Sequence, residues 1–164
     1  MASAPDARDT YTLSPEHVGH ARTFVMASRK LRTLQIRPEA REDVRRLTKL
    51  DRRLAVVAST ALRDIANGTT VGVPLEKMAK FGDLSDCRKV YFGYGSPPTH
   101  RIVYRELDEN TIEIIDVVAI ESREDAYVYL LAAERLRRLP EETQQEFTSV
   151  HQRIIAKRAL RKKE

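Results

Sequence analysis

The sequence predicts an α+β fold, a four-stranded, mainly antiparallel sheet with an N-terminal helical hairpin and C-terminal helices packed on it. Three observations carry that expectation. Between Cys87 and Tyr129 the runs CRKVYF, HRIVYREL and TIEIIDVVAI are separated by turn residues and followed by a helical pattern, as in an antiparallel meander closed by a helix. Upstream, Val44, Leu47, Leu50, Leu54, Val57, Ala61 and Ile65 recur at steps of three and four, which puts them on one helical stripe. Ahead of that stripe Leu31 to Arg37 alternates between apolar and polar and supplies the fourth strand.

Taken in order, the chain divides into three parts. Met1 to Leu13 is small and polar and reads as disordered. Ser14-Pro15-Glu16 then offers a capping hydroxyl and a proline at the first helical position, and Val18, Ala21 and Val25 continue a helix over 14–28. Residues 1–30 are thus an N-terminal extension, 31–139 the core, and 140–164 a C-terminal helical extension with a basic end. His17 and His20 lie three apart on the first helix, but without a third ligand nearby they read as part of a solvated face.

Within the core, Pro38-Glu39 starts a helix and Asp51 is placed to cap a second, which folds the long stripe into a hairpin. The arginines on its outer faces alternate with Glu42, Asp43, Asp51 and Asp64, the pattern of a solvated surface. Asn67-Gly68 ends the second helix. Thr69 to Lys80 is a connector, and Gly93 to Pro98 is a hairpin loop, since a strand and not a helix follows it. The last strand, from Ile112 to Ile120, is nearly continuous in aliphatic residues, which predicts burial on both sides and the central place in the sheet. Beyond it, Pro140-Glu141-Glu142 opens another helix with Phe147, Val150, Ile154, Ile155 and Ala159 on its apolar stripe. Arg158, Arg161, Lys162 and Lys163 complement the negative end of its dipole.

Composition narrows the function classes. The formal net charge of +5 on 164 residues is basic, with the only dense basic patch in the tail. One cysteine, Cys87, excludes an internal disulfide and a cysteine metal cluster, which fits a reducing cytoplasm; it reads as a small buried residue entering a strand. No run of about 18 apolar residues is present, so no membrane span is expected. The N-terminus lacks a basic segment followed by an apolar one, so a cytoplasmic location is expected.

The candidate site lies in the meander. The side-chain period of a strand is two, so Lys89 and Tyr91 share one face, as do Arg101, Val103 and Arg105. A cationic face carrying a phenol follows. Arg123 is expected at the exit of the last strand, with Tyr129 about one and a half turns into the following helix. Both are expected to reach back over the sheet.

The order DCRKVYFG, HRIVYR, DENTIEIIDVVAI and SREDAYVY resembles the RelE/ParE superfamily of bacterial type II toxins, from Leu31 to Leu139 and most densely from Asp86 to Leu136. The resemblance implies a RelE-like fold and a toxin neutralised by a cognate antitoxin, in a toxin–antitoxin hetero-oligomer. For the RelE branch it implies ribosome-dependent cleavage of messenger RNA with no metal and no cofactor. Residue by residue it assigns catalysis to Lys89, Arg101, Arg123 and Tyr129. Tyr91 stands where the family carries a second lysine, and Glu121-Ser122 replace its glycine and basic residue. Beside the catalytic set, Tyr91, Arg105, His100 and Arg88 are candidate RNA-binding residues, Tyr91 by stacking on a base.

Such an enzyme must deprotonate a ribose 2′-OH, stabilise the charge on the attacked phosphate and protonate the leaving 5′ oxygen. Tyr129 is the candidate base or orienter, Arg101 or Arg123 the partner of the scissile phosphate, and Arg123 the aid to the leaving group. Two alternatives stay open. One is a ParE-like inhibitor of DNA gyrase that acts by binding, and the other is a non-catalytic binding module whose long ends occlude the site.

Overall fold

The computed structural model describes residues 31–119 and 125–161. The predicted helix over 14–28 with His17 and His20, the residues Glu121, Ser122 and Arg123, and the terminal Lys162 and Lys163 all lie outside them.

The fold is α+β, with strand β1 (Thr33–Ile36), helices α1 (Pro38–Leu50) and α2 (Arg52–Asn67), then strands β2 (Val73–Pro74), β3 (Lys77–Met78) and β4 (Gly82–Asp83). Strands β5 (Cys87–Phe92), β6 (His100–Asp108) and β7 (Thr111–Ala119) make the meander, and helices α3 (Asp125–Arg135) and α4 (Glu141–Arg161) follow. The main sheet is mixed and has five strands in the order β1-β7-β6-β5-β2, not four, because Val73 and Pro74 in the expected connector pair with Lys89 and Arg88. Strand β1 runs parallel to β7, and the other three pairings are antiparallel. The connector also folds β3 and β4 into a separate two-stranded ribbon.

The helical hairpin forms where the sequence changes chemistry. Asp51 accepts hydrogen bonds from the backbone N–H groups of Arg53 (2.9 Å) and Leu54 (3.1 Å), which satisfies donors that open the second helix. At the other end Gly68 adopts φ 73°, a left-handed closure that glycine takes without a Cβ penalty. The apolar stripe of the two helices packs on one sheet face, against Val90, Phe92, Ile102, Tyr104, Ile112 and Ile114. Each fully buried isoleucine there contributes about 1.5–3 kcal/mol of transfer free energy. Helices α3 and α4 pack on the opposite face, over Cys87, Val103 and Ile115. Tyr127, Phe147 and His151 stack where these two helices meet, with Tyr127 Oη and His151 Nδ1 2.9 Å apart.

The aliphatic run of β7 has a different cause from the expected one. The strand is interior, but β6 occupies the centre. Val103 pairs with Asp116 whereas Tyr104 pairs with Ile114, so Ile115 is an extra residue in a β-bulge. The bulge shifts the alternation by one. Ile112, Ile114 and Val117 therefore all serve the hairpin face while Ile115 faces α3.

Next to the bulge lies a buried charged cluster. Asp43 of α1, 2 % exposed, holds the Arg135 guanidinium of α3 in two hydrogen bonds (2.5 and 3.1 Å) and accepts from the Val117 N–H (3.1 Å). Arg135 also donates to the Ile115 carbonyl at 3.1 Å. Asp116 is fully buried beside this pair. Burial pushes its carboxyl up to about 8; the Arg135 charge opposes that, Asp43 adds to it and Arg101 opposes it.

Candidate functional site

Strands β5 and β6 place Tyr91 directly opposite Arg101, and Lys89 opposite Val103. All four side chains project toward α3, because directly paired residues share a face. Helix α3 then brings Tyr129 down onto this row, its position set by Tyr127, Val128, Leu130 and Leu131 packing in the core around it. The ribbon completes the enclosure, with the Phe81 ring 5.5 Å from that of Tyr129.

The result is a compact group of two cations and two phenols. Lys89 Nζ donates to Tyr129 Oη at 2.8 Å, and the Arg101 guanidinium donates to Tyr91 Oη at 3.0 Å. Each cation also stands over both rings. Arg101 is 4.7 Å from the Tyr91 centroid and 5.4 Å from that of Tyr129, and Lys89 is 5.6 and 5.4 Å away. At such distances the negative ring faces stabilise the cations. Arg101 forms the floor, only 2 % exposed, and Tyr91 forms the rim at 41 %. Burial works against the charge of Lys89, but the hydrogen bonds and charges of Tyr129 and then Tyr91 outweigh it and raise its pKa. Lys89 is therefore a cation at neutral pH, available to an anion entering between the rings.

The other predicted site residues are dispersed. Arg105 shares this face but is engaged, with Nε 2.6 Å from Glu113 and a guanidinium nitrogen 3.5 Å from Asp86. Arg88 projects to the other side, where it donates to the Gly72 carbonyl at 3.0 Å. His100 pairs with Phe92 on that same side, its ring 5.4 Å from the Phe92 ring, and burial lowers its pKa. Thus Lys89, Tyr91, Arg101 and Tyr129 come together, and Arg88, His100 and Arg105 do not join them. Cys87 is buried, and burial followed by the Asp86 charge pushes its thiol up to about 12, far from a reactive thiolate.

Sequence reasoning missed the buried acids. The sequence pattern groups Asp43 with the solvated charges of the hairpin, and Asp116 sits inside an otherwise aliphatic run, which is the available signal. It also missed a groove of about 320 Å³ between α2 and β5 that reaches Tyr91. Among the described residues no group of three or more His, Cys, Asp or Glu side chains is arranged to hold a metal ion. No helix among them is long and apolar enough to cross a membrane. Compared with protein-family models, curated proteins and solved structures, the chain matches none.

Proposed function

We propose that the protein is the toxin of a type II toxin–antitoxin pair, a RelE-like endoribonuclease that cleaves messenger RNA on the cytoplasmic ribosome without a metal or cofactor. The observation that carries this reading is the convergence of Lys89, Tyr91, Arg101 and Tyr129, from three elements, into one cationic, phenol-lined group. Support also comes from the meander closed by a helix and preceded by a helical hairpin, the arrangement that the resemblance implies.

In this mechanism Lys89 has two tasks. Its ammonium fixes the Tyr129 oxygen at 2.8 Å, and its positive charge neutralises the incoming phosphate. Tyr129 orients the 2′-OH and relays its proton: the phenol takes that proton and passes its own to a phosphate oxygen, as the 2′ oxygen–phosphorus bond forms and the bond from phosphorus to the 5′ oxygen breaks. Arg101 is too buried to grip phosphate with a free fork; it holds Tyr91 and adds a fixed positive field beneath the reacting atoms. Arg123, by resemblance, assists the departing 5′ oxygen. A pair of cations and phenols is a weak proton-transfer apparatus at neutral pH, and the ribosome supplies the alignment that makes it sufficient. A cognate antitoxin would hold the toxin inactive in a hetero-oligomer.

The burial of Arg101 favours one competing reading, a ParE-like protein that inhibits gyrase by binding. Inducible expression of the wild type beside Tyr129→Phe and Lys89→Ala separates them. Growth arrest with cuts inside translated messages, lost in both variants, is the expected result. Arrest with intact messages and altered plasmid supercoiling would move the assignment to gyrase.

A further inference from the structure

We infer that Asp116 is a positioning residue of the phosphate site, a buried carboxyl that must stay neutral for the Lys89–Arg101 group to hold an RNA phosphodiester. The inference deepens the ribonuclease reading and rests on it. Strand register joins the two places. Lys89 lies opposite Val103 and Val103 lies opposite Asp116, so the three side chains form one row across β5, β6 and β7 on the face under α3. Arg101 stands on that face two residues from Val103, diagonal to Asp116 and within the reach of a long side chain. The floor of the site and the carboxyl therefore share one dry layer, Arg101 and Asp116 both buried.

The cations around Asp116 are engaged elsewhere. Lys89 donates to Tyr129, Arg101 donates to Tyr91, and Asp43 holds Arg135 in two hydrogen bonds. Neither carboxyl oxygen of Asp116 meets a donor in good hydrogen-bond geometry among the described residues. The charged groups that face it are Arg135 from α3, Asp43 from α1 and Arg101 from β6, with Lys89 of β5 at the far end of the row. Arg135 and Asp43 are a pair whose charges cancel. Ionising Asp116 thus adds a net negative charge beside the floor of the site, where little solvent screens it. A phosphodiester on Lys89 is repelled by that charge, whereas the neutral acid leaves the positive field intact.

The resident form at neutral pH is the neutral acid. Burial, the largest influence, pushes the carboxyl up to about 8; Arg135 opposes it, Asp43 adds to it, and Arg101 and the Val103 backbone oppose it. Linkage is reciprocal, so a bound phosphodiester favours the protonated acid further, and affinity is lost as pH rises through the carboxyl's titration. Lys89 cannot produce this loss. Against the effect of burial, its hydrogen bonds to Tyr129 and Tyr91 raise its pKa, so it stays cationic throughout.

The test is a titration of the full-length protein with a 2′-deoxy dinucleoside monophosphate, a diester that it cannot cleave and whose charge is constant, between pH 6.5 and 9. Binding is followed by the methyl shifts of Val103, which sits between Lys89 and Asp116. Wild-type affinity should fall about fivefold over this range, the size expected when a charge about 10 Å away appears at an effective dielectric of about 20. Asp116→Asn, which cannot ionise, should give a flat profile, and Lys89→Ala should weaken binding at every pH. In wild-type protein labelled with ¹³C at the aspartate carboxyls, the resonance that titrates at about 8 should titrate at higher pH with diester bound, a readout that needs no variant to fold. Equal slopes in the wild type and Asp116→Asn, or a carboxyl titration that the diester leaves in place, would overturn the inference. If Lys89-dependent binding persists in that case, the ribonuclease reading survives it. Absence of diester binding, or binding indifferent to Lys89→Ala, would overturn both.

Discussion

The two faces of the sheet solve different problems with the same strands. The hairpin face is almost wholly aliphatic and aromatic, from Ile65 and Val90 to Ile102 and Ile114, and its stability comes from burial. On the α3 face the apolar layer surrounds buried Arg101 and Asp116 and half-buried Lys89 and Arg105, ionisable groups that a hydrophobic core would exclude. Burying charge costs several kcal/mol per ion unless partners compensate. Here they do so in pairs: Arg101 with Tyr91, Arg105 with Glu113, Arg135 with Asp43. The difference teaches where to look for chemistry, since the face that is costly to assemble also carries the polar atoms able to act on a substrate.

The largest expected effect breaks this contrast from the charged side. Asp43→Ala strips Arg135 of its carboxylate and leaves a guanidinium buried, so urea unfolding should register a loss of about 3–5 kcal/mol. A change below about 1 kcal/mol would mean that the pair is solvated and the charged face is less dry than its geometry. Tyr129→Phe removes one oxygen and keeps the ring. Message cleavage in a reconstituted translation system should fall about a hundredfold or more while the melting temperature hardly moves. Equal loss of both would make Tyr129 a packing residue.

Asp116 sharpens the contrast through pH. Burial pushes its folded carboxyl up to about 8, whereas an unfolded aspartate titrates at about 3.9. Between those values the folded chain holds a proton that the unfolded chain has lost, so the contribution is fully present below the lower value and is lost as pH rises through the upper one. Denaturation midpoints should therefore decline from pH 4 toward 8, and Asp116→Asn should flatten the slope. An unchanged slope in the variant would assign the pH dependence to another group. On the aliphatic face Ile102→Val should cost only about 0.5–1.5 kcal/mol, with cleavage intact. The smallest change is expected for Asp51→Ala, about 1 kcal/mol from the lost cap, measurable as faster hydrogen exchange of the Arg53 and Leu54 amides.

The aliphatic face was also the more legible of the two. Steps of three and four from Val44 to Ile65, the break at Asp51 and the Asn67-Gly68 ending locate both hairpin helices, because local spacing and capping chemistry are written in adjacent residues. The ribbon was not legible, since strands of two residues, Lys77–Met78 and Gly82–Asp83, are too short to show a period. Neither was the bulge at Ile115, which depends on how β7 pairs with β6. Period two placed Lys89 with Tyr91 and Arg101 with Arg105, but whether those rows face the same way is a matter of cross-strand register. The same parity puts Arg88 on the other face from Lys89, so the candidate RNA-binding set draws on both faces. Ion pairs such as Arg105–Glu113 and Asp43–Arg135 join distant positions, and no local pattern marks which charges will be claimed by others.

The parallel pairing of β1 with β7 has a consequence for how the molecule comes into being. Thr33 lies beside Thr111, so the first strand of the sheet must await the last one to be synthesised. Contacts of such long range delay folding because chain closure comes before any gain from the contact. A nascent chain interrupted before β7 has nowhere to dock its first strand, and Arg37 has neither the Ile114 carbonyl nor the Glu113 carboxylate to hold it. Activity that depends on the assembled sheet is thus confined to chains whose translation has passed the meander, which makes synthesis through β7 a built-in checkpoint.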